Sequence, residues 1–201
     1  MTIKHLLYTM LVLTAVVLAF IFFPRETPIT YPHGILVEEY PTRFKLEHEE
    51  IRLIDDYVIK SLAGVKIKAR VLGKEGYSFD RESDIAPFDL ALGWGPMSDE
   101  AILSKLEITQ GRRWYHWKKL DPSIDNRTVI KNSSNMHMIP SSEEIEDILD
   151  QIIVGNLIEI EGYLVEVKAT DNWKWKSSMS WEDTGGGACE LVYIEKLKIL
   201  R

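Results

Sequence analysis

Val65-Lys66-Ile67-Lys68-Ala69-Arg70-Val71 (residues 65–71) sets the fold class. Four apolar side chains alternate with three cations, the two-residue period of a strand with one face in a core and the other in water. Upstream, Ile51 to Lys60 is the expected partner strand. Downstream, Gly73 and Gly76 open an irregular region, and Tyr77 to Gly95 reads as a structured loop packed on the core. Ser98-Asp99-Glu100 has a hydroxyl cap and first-turn acids, so a short helix to Leu106 is expected.

Arg112 to Lys119 (RRWYHWKK) is aromatic-rich and free of Gly and Pro, which suits a strand. Residues 120–135 are polar and rich in turn formers. Ser141 to Glu144 then has capping-box spacing, and Ile145, Ile148, Leu149 and Ile152 fall on one helical face before Gly155. Leu157 to Lys168 returns to strand period, with a slip at Gly162 that predicts a bulge or sharp coil. Trp173, Trp175, Met179 and Trp181 share one parity and are expected to face inward. Leu191 to Leu200 closes the domain as a strand. The sum is α+β, mostly β, with six or seven strands and one or two helices. A partly open, OB-like barrel fits this pattern, and such a likeness carries no function by itself.

Ahead of this domain, Leu6 to Phe23 (LLYTMLVLTAVVLAFIFF) has no formal charge. As a helix it rises about 27 Å, close to the thickness of a hydrocarbon core. The organisation expected is a tail (1–5), a transmembrane anchor (6–23), a tether broken by Pro24, Pro28, Pro32 and Pro41 (24–45), and a β-rich domain (46–201). The apolar run continues through Phe20 to Phe23, where a cleaved signal peptide would turn polar. Lys4 and Arg25 balance across the span, so orientation rests on the short N-terminal tail, which places the C-terminal domain outside the cytoplasm.

The net charge of −7 disfavours a general nucleic-acid binder. A single cysteine, Cys189, excludes an intrachain disulfide and a Cys-rich zinc site. No cofactor is implied.

Four constellations could carry chemistry. Cys189 as nucleophile with His137 as base forms a thiol hydrolase, with Asp183 or Glu190 orienting the imidazole and Gly185–Gly187 admitting an oxyanion. Asp80, Glu82 and Asp84 have the spacing of the first calcium-loop ligands but lack the loop glycine and the twelfth-position glutamate. His116 and His137 have no zinc spacing. Arg112, Arg113, Trp114, Tyr115, His116 and Trp117 form a ring-dense, cation-flanked binding surface. As a strand it would point Trp114 and His116 one way and Tyr115 and Trp117 the other. Finally, Asp84 and Asp89 beside Trp94 have the composition of a glycosidase site.

DLALGWGPMSDEAIL (89–103), NMHMIP (135–140), and GYLVEV followed by WKWKSS and DTGGGACE (162–190) resemble an uncharacterised bacterial group of small proteins with one membrane segment. The resemblance covers most of residues 65–195 and implies neither an activity nor a ligand. The leading functional expectation is a membrane-anchored, extracytoplasmic module that binds an envelope protein or glycan through residues 112–117. The alternatives are the Cys189–His137 hydrolase and single-stranded nucleic-acid binding.

Overall fold

In the computed structural model, which describes residues 3–22, 27–183 and 185–201, the chain runs as follows. An N-terminal helix α1 (Ile3–Phe22) precedes strands β1 (Thr42–Phe44), β2 (Ile51–Ile54), β3 (Tyr57–Gly76) and β4 (Phe88–Gly93). Helix α2 (Glu100–Leu103), the hairpin β5 (Leu106–Gly111) and β6 (Trp114–Lys119), and helix α3 (Asn126–Asn132) come next. Strand β7 (Ser133–Pro140), helix α4 (Glu143–Gln151), and strands β8 (Leu157–Ala169), β9 (Lys174–Lys176) and β10 (Glu190–Ile199) complete it. Strand outweighs helix, 43% against 21%, which makes the domain mostly β.

The VKIKARV segment is the middle of β3, which is 20 residues long. Its first part pairs with β8 and its last part with β4. Strand β4 continues to β7, β7 runs parallel to β10, and β10 returns to β8. The sheet therefore curls into a partial ring. Residues 51–60 are not one strand. The chain turns at Asp55, with φ of 47°, so that Ile51–Ile54 folds back on Tyr57–Lys60, the front of β3 itself.

Ring closure needs bends, and β3 slips register at Leu62 and again at Leu72. The irregularity expected at Gly162 lies opposite it, in β10, between Ile194 and Lys196. A Cβ on Gly162 would collide with the Tyr193 carbonyl, so glycine is what lets the two backbones approach. Inside the ring, Val65, Ile67, Ala69 and Val71 meet Leu90, Leu92, Met136, Met138, Ile158, Ile160, Val192 and Ile194, all at most 1% exposed. Helix α4 caps one end with Ile145, Leu149 and Ile152. Its cap is Ser142, one residue later than the capping-box spacing suggests.

The segment expected to be a loop contains β4. Strands β4 and β7 are covered on both faces, the inner by the ring and the outer by other elements. Over their outer side, the insertion between them lays Met97, Leu106, Ile124 and Val129 onto Leu72 and Ala91. Sequence periodicity fails there because neither face is wet.

Residues 27–41, part of the expected Pro-containing tether, pack along the ring. The Ile29 N–H donates to the Val154 carbonyl, the Leu36 and Val37 N–H groups donate to Ser98 Oγ, and Tyr40 donates to Asn132. Val37 is wholly buried in the main core. Positive-φ Gly155 passes so close to the Ile29 carbonyl that a side chain there would clash. Phe23, at the end of the expected anchor, and residues 24–26 of the expected tether lie outside the described residues. Several α1 side chains are also outside them, and counted over the described residues alone no helix is long and apolar enough to cross a membrane.

Candidate active site

Asp89 and His137 are directly opposite each other on neighbouring strands β4 and β7. Leu90, Leu92, Met136 and Met138 point into the ring, so the two-residue period turns Asp89 and His137 to its outer face. There Asp89 Oδ1 lies 2.8 Å from His137 Nδ1. Their side chains are 1% and 5% exposed.

The hairpin β5–β6 supplies the third member. Its two turn residues, Arg112 and Arg113, both have positive φ, at 53° and 66°. Such a turn ordinarily takes Asn-Gly. Two consecutive arginines there are strained, and Arg113 offsets the strain with its contacts. Its guanidinium donates to Asp89 at 2.8 Å, to both oxygens of Asp80 at 2.7 and 3.0 Å, and to the Ala86 carbonyl at 2.9 Å. It also covers the Tyr77 ring at 3.8 Å, while its backbone N–H donates to the Tyr77 hydroxyl.

Asp80, Arg113, Asp89 and His137 thus form one continuous chain. Two carboxylates face one guanidinium, leaving one negative charge, which a protonated imidazole neutralises. Burial lowers the basicity of His137, but its bond to Asp89 and the proximity of Cys189 outweigh that and raise its pKa to about 9. Asp89 occupies Nδ1, which leaves Nε2 as the other ring nitrogen, and Cys189 lines the same cavity as the imidazole. Trp175 packs against the imidazole with ring centroids 4.7 Å apart.

Cys189 is partly exposed and ends the glycine-rich turn just before β10. Asn135 points at it from β7. Gln110 Nε2 donates to Asn135 Oδ1 at 2.7 Å, which turns the Asn135 amide N–H groups toward the Arg113 carbonyl at 3.3 Å and the Cys189 sulfur at 3.8 Å. Two cavities meet at Cys189 and Trp114. One, about 230 Å³, holds His137, Arg113, Trp175 and Lys176. The other, about 180 Å³, holds Trp117, Ser134, Asn135 and Asp183.

Cys189 and His137 line one cavity, and the acid on the imidazole is Asp89 rather than Asp183 or Glu190. Asp183 accepts from Ser178 at 2.7 Å and lines the other cavity. Glu190 turns into the ring, fully buried, against Ser134. Burial pushes Glu190 up to about 8, against the lowering effect of Ser134.

Of the aromatic surface, Trp114 (43% exposed), His116 and Arg112 are open to solvent. Tyr115 and Trp117 pack on the outer core, as alternation required. Arg113 is committed to the buried ion network and is not a free surface cation. Trp173 and Trp175 pack on a core outside the ring and Trp181 on the ring's own core.

The glycosidase pairing fails. Asp84 accepts from the Tyr57 hydroxyl at 3.0 Å, Asp89 is held by Arg113 and His137, and Trp94 is wholly buried in the core. Among the described residues no group of three or more His, Cys, Asp or Glu could hold a metal ion.

No family model, curated protein or solved structure matches the chain. Function must therefore come from the site's own chemistry.

Proposed function

We propose that this protein is a thiol-dependent acyl-transfer enzyme or hydrolase, with Cys189 as nucleophile, His137 as acid and base, and Asp89 as the residue that positions the imidazole. The observation that carries the reading is the Asp89–His137 contact at 2.8 Å in a cavity that Cys189 also lines, at the junction with a second cavity. A nucleophile, a base and an orienting acid in series are what acyl transfer requires. The Cys189 thiolate attacks a carbonyl carbon and forms an S–C bond. The tetrahedral oxyanion accepts from the Asn135 amide. The leaving group departs with a proton from the His137 imidazolium, giving a thioester. His137 then takes a proton from water, the resulting hydroxide attacks the thioester carbonyl, and the acid leaves as the S–C bond breaks to restore the thiolate beside the imidazolium.

The scaffold is read as an OB-like barrel. Its support is the strand order β3-β4-β7-β10-β8 returning to β3, the parallel β7–β10 pair, and helix α4 between the third and fourth ring strands. In such barrels the outer face of the second and third strands is the usual ligand surface. Asp89 and His137 lie on those two strands. We keep the placement on a membrane by α1, with the barrel outside the cytoplasm. The uncharged run from Leu6 supports it, as does the resemblance to single-span bacterial proteins. A second reading is favoured by the exposed Trp114 beside the cleft: an envelope protein or glycan binds there and Cys189 stays silent. The cleft rim mixes Glu82 and Asp183 with Lys176, which does not favour a nucleic-acid backbone.

The test is exposure of the detergent-purified protein to 4-nitrophenyl acetate, followed by intact-mass and peptide analysis. The expected result is a rapid acetyl adduct on Cys189 that hydrolyses in time. In His137→Asn, an amide can still donate to Asp89 but Nε2 is lost, and acetylation should slow by about a hundredfold. Acetylation of Cys189 at the same rate in both proteins would overturn the catalytic reading and leave the binding one.

A further inference from the structure

We infer that the cavity on the far side of Cys189 from His137 is a subsite for an organic cation, an ammonium or guanidinium group carried by the acyl substrate. This rests on the catalytic reading above only for the word substrate; the cation site itself stands on its own geometry. Trp114, Tyr115 and Trp117 contribute rings to the lining, and Ser133, Ser134 and Asn135 contribute polar groups. Among the described residues, Asp183 is the one carboxylate on the lining and none is cationic. Ser178 donates to Asp183 Oδ2, fixing the carboxylate and leaving Oδ1 for a ligand. The neighbouring Glu182 is balanced by Lys131, so the local excess charge belongs to Asp183.

Aromatic faces with one carboxylate are the chemistry that recognises organic cations. A second observation points the same way. Glu190, wholly buried behind Ser134, has an Oε1 without a hydrogen-bond partner, and it lies near enough to Asp183 to feel its charge. The group behind the pocket wall is thus an uncharged acid with an unsatisfied oxygen, and the negative charge facing the cavity is that of Asp183. The His137 imidazolium faces the other cavity. A substrate bearing a cation here would place its neighbouring carbonyl at Cys189, which borders both spaces.

Methanethiosulfonate reagents test this without requiring turnover. The Cys189 thiolate attacks the reagent's sulfenyl sulfur, a disulfide forms, and methanesulfinate leaves. Rates are compared for the cationic trimethylammonium-ethyl reagent and the anionic sulfonatoethyl reagent of similar size. Asp183→Asn should lower the cation-to-anion rate ratio about five- to tenfold, the effect of one nearby surface charge on probes of opposite sign. Trp114→Leu, at an exposed position, should lower it as well. An unchanged ratio in both variants overturns the subsite, and so does a folded protein whose Cys189 neither reagent modifies. Loss of ester acylation with the charge preference intact removes the catalytic reading but keeps the cation site. Acylation with no charge preference does the reverse.

Discussion

Asp89→Asn is expected to destabilise the domain by about 3–5 kcal/mol, the usual cost of breaking a buried ion pair from one side. Asp89 is fully buried and its Oδ1 serves both Arg113 and His137. An asparagine keeps the shape but removes the charge, leaving the four-group chain with one carboxylate for one guanidinium and an imidazole. His137 then loses the partner that offsets its burial and returns to the neutral form. The hairpin tip also loses part of the bonding that holds positive-φ Arg113 in place. For a domain of this size the change corresponds to roughly 10 °C in Tm. Asp171→Asn is the control. Asp171 also meets an arginine in a two-pronged contact, with Arg81 at 2.8 and 2.9 Å, but it is 59% exposed. Exposed pairs contribute about 0–1 kcal/mol, so its Tm should barely move. Equal effects at the two positions would mean that the Asp89 network adds no more than a surface pair.

The second large effect is a loss of stability toward alkaline pH. His137 rises from an ordinary 6.5 to about 9 on folding, so the fold favours its protonated form. That stabilisation is complete below pH 6.5 and lost as pH climbs through 9. Glu190 rises from 4.5 to about 8, because burial favours the neutral acid. Its contribution is complete below pH 4.5 and gone above 8. Both losses run in the same direction, and each amounts to a few kcal/mol, on the order of 1.4 kcal/mol per unit of displacement. Asp80, Asp99 and Asp171 act oppositely. Their hydrogen bonds and cationic neighbours hold them below the ordinary carboxylate value, so their contribution is lost as acid protonates them. Urea unfolding from pH 5 to 9 should therefore show falling stability across the alkaline half. Glu190→Gln, which is neutral at every pH, should match the parent near pH 5 and exceed it at pH 8.5. A variant that tracks the parent at both values would show that Glu190 is not held as a neutral acid.

How far the sequence carried the fold depended on which faces were wet. VKIKARV alternates because its lysines reach water, and Leu157–Lys168 and Leu191–Leu200 were legible for the same reason. Helix α4 was legible from its cap and apolar face. Strands β4 and β7 were not, because buried Leu90, Ala91 and Leu92 or Met136, His137 and Met138 leave no polar alternation to read. Those two strands carry the site. Cys189 and His137 could be paired by their chemistry, but the orienting acid could not be chosen. Asp183 and Glu190 are near Cys189 in sequence, whereas Asp89 reaches His137 only through strand pairing. One signal was available. Arg112-Arg113 follows Gly111 at the tip of an aromatic hairpin, and an arginine in a left-handed turn needs acidic partners to hold it.

The most direct test of the whole arrangement is the titration of the His137 ring, followed by nitrogen and carbon NMR on selectively labelled protein. The midpoint is expected near 9, with a strongly downfield Nδ1 proton, and falls in Asp89→Asn. A His137 that titrates at the ordinary 6.5 and ignores the loss of the Asp89 carboxylate would contradict the arrangement.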